Sequence, residues 1–182
     1  EKASFHGQDF AQFREWDYQS QLEWFLPEKY ENHAIFQKFV MDLNKFYLKN
    51  SPLWENDDSW KGFSWISNDD YKQSVIAFRR IDDSRDELIT VCNFVPVVRN
   101  DYKIGVPEKG TYYEVFNSSS EKYGGDEISN KSVKSIRFPI HGFENAISLN
   151  IPPLSVIFLK KRKTLKTAAD ISRQKNKPSV QQ

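Results

Sequence analysis

Between residues 75 and 159 the chain repeats one pattern: a short run rich in β-branched or aromatic residues, then a break. The runs are Val75–Phe78, Leu88–Cys92, Tyr112–Phe116, Val133–Phe138, Ala146–Ile151 and Leu154–Leu159. Turn material separates them, at Asp82-Asp83-Ser84, Asn100-Asp101, Gly124-Gly125 and Pro152-Pro153. The runs at 133–138 and 147–151 largely alternate polar and apolar residues, as half-buried strands do. Short strands at this spacing predict an antiparallel β-sandwich. Pro152-Pro153 marks a sharp connection, because neither residue can donate to a strand ladder.

The chain before residue 63 has a different character. All five Trp (Trp16, Trp24, Trp54, Trp60, Trp65) fall within the first 65 residues. One strong helix is predicted there. Ile35, Phe36, Phe39, Val40, Leu43, Phe46 and Tyr47 recur at three- and four-residue spacing and share one face. Asn32 is expected to cap its start, and Ser51-Pro52 to end it. Ahead of it, Gly7–Asp17 is too polar for core and too rich in large rings for a simple linker.

Composition narrows the function. The 182 residues hold 15% aromatics, far more than a disordered chain carries. A single cysteine, Cys92, excludes an internal disulfide framework. It lies in an apolar run and reads as a small core residue. Three scattered histidines (His6, His33, His141) argue against a His/Cys metal site. No run is long and apolar enough for a membrane span, so no membrane partner is expected. Glu1 in place of Met, with no apolar stretch behind it, predicts neither a natural start nor a signal peptide.

The formal net charge of +1 hides a split. Residues 160–182 carry net +7 and the rest −6. Residues 163–182 are predicted to be a disordered basic tail. No aromatics interleave with its charges, so nucleic acid is not the expected partner.

The search for chemistry is mostly negative. Asp9, Glu15, Asp17 and Glu23 are the one dense carboxylate group beside aromatics. A sugar-cleaving enzyme needs two carboxyls at a fixed separation, whereas a solvated loop is the commoner outcome. Trp16 and Trp24 could stack on sugar rings or pack in an interface. No Gly-x-Ser-x-Gly elbow and no phosphate-binding glycine loop occur. His141 reads as a loop residue, and Arg79-Arg80 as solvent-facing.

Particular strings say more. Gly7–Trp16 with Leu22-Glu23-Trp24, Asp42–Tyr47, Gly62–Ile66, Cys92–Val97, Asp101–Pro107, Tyr113–Ser118 and Leu149–Ser155 occur in order. This series resembles the C-terminal part of bacterial 1,4-alpha-glucan (glycogen) branching enzymes, of the alpha-amylase superfamily, over about residues 5–160. The resemblance implies an α+β, mainly β fragment: the last βα unit of a (β/α)8 barrel, then an antiparallel β-sandwich C-terminal domain. It implies divisions at 1–60 (barrel end), 61–162 (all-β domain) and 163–182 (tail). Ala3–Phe5 would be a remnant of the eighth barrel strand. Gln8, Asp9, Arg14, Glu15 and Trp16 would lie in the loop rimming the active site. The implied chemistry is glycosyl transfer from an α-1,4 bond to a 6-hydroxyl, through an Asp nucleophile and a Glu acid/base. No position here matches those carboxylates, so no catalytic residue is assigned and the chain alone is expected to be inactive. No metal or cofactor is implied. The implied partners are α-glucan and the catalytic half of the enzyme, in the cytoplasm. Ser4, His6 and Asp9 depart from the family pattern. The rival reading is a stand-alone glucan-binding or protein-interaction module. On the fragment reading, the helix face of Ile35, Phe39, Leu43 and Phe46 loses most of its partner and frays or self-associates.

Overall fold

The computed structural model describes residues 7–15 and 17–162. The expected strand remnant Ala3–Phe5, Trp16 and the tail 163–182 lie outside them.

The predicted helix forms as α2 (Glu31–Lys49), preceded by the single turn α1 (Phe25–Lys29). Asn32 does not cap it. The N-cap is Tyr30, which makes no side-chain cap bond, and Asn32 sits inside the first turn. At the far end Asn50 closes the helix, its Nδ2 donating to the Phe46 carbonyl at 2.6 Å. A 3-10 turn, Ser51–Leu53, follows with Pro52 in its first turn. The proline ring fixes φ and the residue lacks a donor, so the α-helix cannot continue through it.

Nine strands follow: β1 (Phe63–Asp70), β2 (Val75–Ile81), β3 (Glu87–Asn93), β4 (Arg99–Val106), β5 (Thr111–Asn117), β6 (Ser132–Lys134), β7 (Ile136–Ile140), β8 (Phe143–Ile151) and β9 (Ser155–Lys161). They make a six-stranded sheet, β1-β2-β3-β9-β5-β6, and a three-stranded sheet, β4-β8-β7. All recorded pairings are antiparallel. Ile89, Val91, Ile157 and Leu159 from the larger sheet join Ile104, Ile147, Leu149 and Ile151 from the smaller one in a single buried cluster. Apolar residues at every second position of both sheets face each other, which is what the sandwich prediction requires.

Three differences from the expected strands have physical causes. β4 contains Asn100-Asp101, which reads as a turn. The chain instead bulges between Arg99 and Tyr102, with Asp101 at φ 51°, and the strand continues. The run Val133–Phe138 is two strands, in different sheets. Ser135 divides them: it is buried, its N–H donates to the Gly110 carbonyl, and its Oγ accepts from the Gly110 N–H, both at 2.8 Å. Arg79 and Arg80 are not solvent-facing. Each side chain is 15% exposed; Arg79 pairs with Glu87 and Arg80 with Asp57, both at 3.0 Å.

The apolar face of α2 is also not orphaned. Phe46 lies 4.9 Å from the Phe116 ring and 5.1 Å from the Phe158 ring, and Phe39 lies 5.2 Å from Tyr123. Asp42 on the same face accepts from the Tyr123 hydroxyl at 2.9 Å and pairs with Lys122 at 3.2 Å. α2 thus covers the outer face of the six-stranded sheet, on the side away from the core. No barrel strand precedes it among the described residues.

Candidate functional site

The polar, aromatic loop at the N-terminal end is built by two side chains. Gln12 Oε1 accepts from the Glu23 N–H at 3.0 Å, and its Nε2 donates to the Arg14 carbonyl at 2.9 Å. Glu23 Oε2 accepts from the N–H groups of Phe13 and Arg14, both at 3.2 Å. Gly7 holds φ 70°, and its carbonyl accepts from the Gln12 N–H at 3.0 Å. A Cβ at Gly7 would fall 2.7 Å from the Gln12 side chain, so glycine fits both the angle and the space. Phe10 is fully buried, 5.2 Å from the half-exposed Trp24 ring, and its carbonyl lies 2.8 Å from His33 Nδ1.

Gln8 and Asp9 sit in the short 3-10 turn Gln8–Phe10, Gln8 exposed and Asp9 half-buried. Arg14 and Glu15 are exposed, and Arg14 lies 3.7 Å from Asp17. The carboxylates near them have local tasks. Asp17 accepts from Ser20 Oγ at 2.6 Å and from the Gln19 N–H at 2.9 Å, and these bonds hold its carboxyl below the usual range. Glu23 folds the loop. These are the positions of turn-building acids.

A second aromatic surface lies at the start of β1, at residues to which the sequence assigned no site. Trp65 stands opposite Phe78 on β2. Phe63 lies 4.8 Å from Trp65, edge to face, and 5.3 Å from Phe78, stacked. Trp60, in the 3-10 turn Trp60–Gly62, meets Phe63 at 6.1 Å and is 84% exposed; Trp65 is 45% exposed. A shallow hollow beside them is lined by Asp57, Asp58, Ser59 and Arg80. Arg80 is fixed there by Asp57 and by the Pro52 carbonyl at 3.2 Å. Flat exposed rings bordered by fixed charged and hydroxyl groups suit a ring with one apolar face and hydroxyl edges. The sequence signal was present: Phe63 and Trp65 are two apart on one strand, so they share a face.

Some chemistries find no support in the arrangement. Cys92 is buried, and burial pushes its thiol up to about 11, away from nucleophile character. Among the described residues no group of His, Cys, Asp and Glu could hold a metal ion. No helix there is long and apolar enough to cross a membrane.

Comparison with known proteins agrees with this architecture. The family model for the alpha amylase, C-terminal all-beta domain matches residues 65–162, more than half of the chain and nearly all of the sandwich. The 1,4-alpha-glucan branching enzymes of Aquifex aeolicus and Halothermothrix orenii are each 44% identical over 161 residues. That of Prochlorococcus marinus strain NATL1A is 45% identical over the same length. Each match covers 87% of this chain but only 25%, 25% and 21% of the relative, so the chain spans about a quarter of the relatives' length. Among solved structures, an alpha-amylase from H. orenii covers 78% of this chain at 21% identity and a TM-score of 0.48, too loose a likeness to place one fold on the other. With the family model spanning the sandwich and branching enzymes its relatives at 44% identity, the chain belongs to the alpha amylase C-terminal all-beta domain family.

Proposed function

We propose that this chain is the C-terminal portion of a 1,4-alpha-glucan branching enzyme, and that it holds α-glucan for a catalytic barrel without carrying the catalytic carboxylates itself. The observation that supports glucan holding is the Trp60–Phe63–Trp65 cluster, in which Trp60 and Trp65 are exposed on either side of Phe63 at the start of the edge strand β1. An enzyme that moves segments of a long polymer gains by anchoring the polymer away from the reacting bond, because the anchored chain re-presents itself at high local concentration. On this reading residues 1–60 are the end of the barrel, 61–162 the all-β domain and 163–182 a tail. Gln8, Asp9, Arg14, Glu15 and Trp16 then rim the active site, and the protein works in the cytoplasm on glycogen-like chains.

Two measurements test the reading. The purified chain should not branch amylose in an iodine-binding assay; measurable branching by the chain alone would overturn its non-catalytic part. Electrophoresis through gels containing glycogen should retard the chain, and Trp60→Ala with Trp65→Ala should abolish the retardation. Unretarded migration of the wild-type chain would remove the glucan-holding part.

A further inference from the structure

At one end of the sandwich, bounded by the start of β3, the start of β5 and the end of β9, lies a cavity of about 370 Å3. Its floor is apolar: Ile89, Tyr112 and Leu159 are each no more than 2% exposed and belong to the shared core. Its mouth is charged: Arg85, Lys161 and Arg162 stand among Asp86, Glu87 and Glu108. Glu108 is paired with Lys161, Glu87 with Arg79 at 3.0 Å, and Asp86 with Lys160 at 2.8 Å. Arg85 and Arg162 also line the cavity, and neither pairs with a carboxylate among the described residues. Arg162 Nη1 reaches only the Tyr113 hydroxyl, at 3.4 Å.

The backbone of Arg85 is constrained. It adopts φ 66°, a conformation that an arginine seldom takes. The turn that imposes this is organised by Asp82, which is 5% exposed. Asp82 Oδ1 accepts from Ser84 Oγ and from the Asp86 N–H, both at 2.7 Å, and Oδ2 accepts from Ser51 Oγ. The Arg85 N–H donates to the Asp82 carbonyl at 3.1 Å. A buried carboxylate therefore fixes the backbone of the turn that carries Arg85, whose exposed side chain lines the mouth of the cavity.

We propose that this cavity binds a monosaccharide-sized phosphate monoester. Two guanidinium groups present planar donor forks, the geometry that engages phosphate oxygens two at a time. The carboxylates of Glu108 and Asp86 can accept from ligand hydroxyls, and the half-buried Pro107 in the wall offers an apolar face to a ring. The volume lies near the lower end of the range for small-ligand pockets, which suits one sugar unit rather than a glucan segment.

The test is titration of the isotopically labelled 182-residue chain with glucose 6-phosphate, glucose and inorganic phosphate, followed by amide NMR. Glucose 6-phosphate should shift the amides of Glu87, Ile89 and Lys161, with a dissociation constant no weaker than about 10 mM. Glucose alone should not shift them at the same concentration, and inorganic phosphate should bind at least about tenfold more weakly than the ester. The double variant Arg85→Asn, Arg162→Gln should weaken the ester by about tenfold or more. Asn tolerates the positive φ and Arg162 is exposed, so the variant should fold, and an otherwise unchanged amide spectrum checks that. The proposal is overturned if the ester causes no shifts, if glucose matches it, if the double variant titrates like the parent, or if inorganic phosphate binds equally well, which would mean an adventitious ion only.

Discussion

The helical segment before residue 54 and the β-sandwich after residue 62 are built on opposite plans. Most strands of the sandwich contribute side chains to one core, and Ile104, Ile147, Ile151, Ile157 and Leu159 are fully buried. α2 is longer than any strand, yet it has no residue classed as buried. It keeps Phe36, Met41 and Leu48 in contact with solvent, while Phe13, Trp24, Phe25 and Tyr30 are exposed around the segment before it. The sandwich satisfies itself. The helical segment is satisfied on one side only, by a row of aromatic contacts to Phe116, Tyr123 and Phe158. Stability should therefore be concentrated in the sandwich, and cooperativity between the two regions should rest on a few rings.

The strongest way to break this contrast is to truncate equal side chains in both regions. Leu149→Ala in β8 should cost about 3 kcal/mol, because the removed atoms leave a cavity between two sheets that cannot close independently. Leu48→Ala on α2 is 71% exposed and should fall within about 0.5 kcal/mol of the parent. Urea denaturation of the two variants measures both. Similar midpoints would mean that the helix face is buried in solution.

The next effect lies at the seam. Phe46 touches both Phe116 and Phe158, so Phe46→Ala should cost roughly 2 kcal/mol, less than a fully enclosed phenylalanine. Its more informative readout is hydrogen exchange. Amides of α2 should lose protection while those of β3 and β8 keep it, because the variant loosens the seam and leaves the core intact. Uniform loss of protection would show that helix and sandwich unfold as one unit. A smaller change at the same seam is Tyr123→Phe. It removes the hydroxyl bonded to Asp42 but keeps the ring against Phe39, and should cost about 1 kcal/mol. The Lys122 pair to the same carboxylate is half in solvent and adds little.

The same contrast decides what was legible in the sequence. Strands with apolar runs, such as Leu88–Cys92 and Ala146–Ile151, announce themselves, since both their period and their composition are set by the core they build. β1 escapes because it is an edge strand. Ser67, Asn68, Asp69 and Asp70 occupy half of it, and Ser67 is buried although polar. The Trp60–Trp65 platform escaped with it, although the two-residue spacing of Phe63 and Trp65 was visible. Arg79 and Arg80 looked solvent-facing because their partners Glu87 and Asp57 are distant in sequence and become neighbours only when β2 pairs with β3 and the 51–57 segment folds over. The periodic face of α2 was legible, but its partner was not: Phe116 and Phe158 lie at strand positions whose outward direction depends on sheet register.

The smallest effect is one of pH, and it belongs to the sandwich alone. His141 turns the β7–β8 hairpin at φ 53°, and its Nδ1 accepts from the Gly105 N–H at 3.2 Å. Only a ring with a bare Nδ1 can do so. Burial holds the ring below its ordinary 6.5, against the opposing pull of Asp69 and Asp70. The unfolded chain therefore takes up a proton at higher pH than the folded one, and stability must decline as pH falls through 6.5 toward the depressed folded value. Gly105 packs closely under the hairpin, since a Cβ there would fall 2.5 Å from the Ile140 carbonyl oxygen. His141→Asn preserves the left-handed backbone and an acceptor oxygen but not the titration. Between pH 5 and 7 its urea midpoint should vary less than that of the parent. Equal slopes in the two proteins would assign the pH dependence to the carboxylates instead, beginning with Asp82: burial pushes its carboxyl up, but its hydrogen bonds to Ser51, Ser84 and the Asp86 N–H together outweigh that and hold it below its ordinary range, so its contribution is lost only at more acid pH.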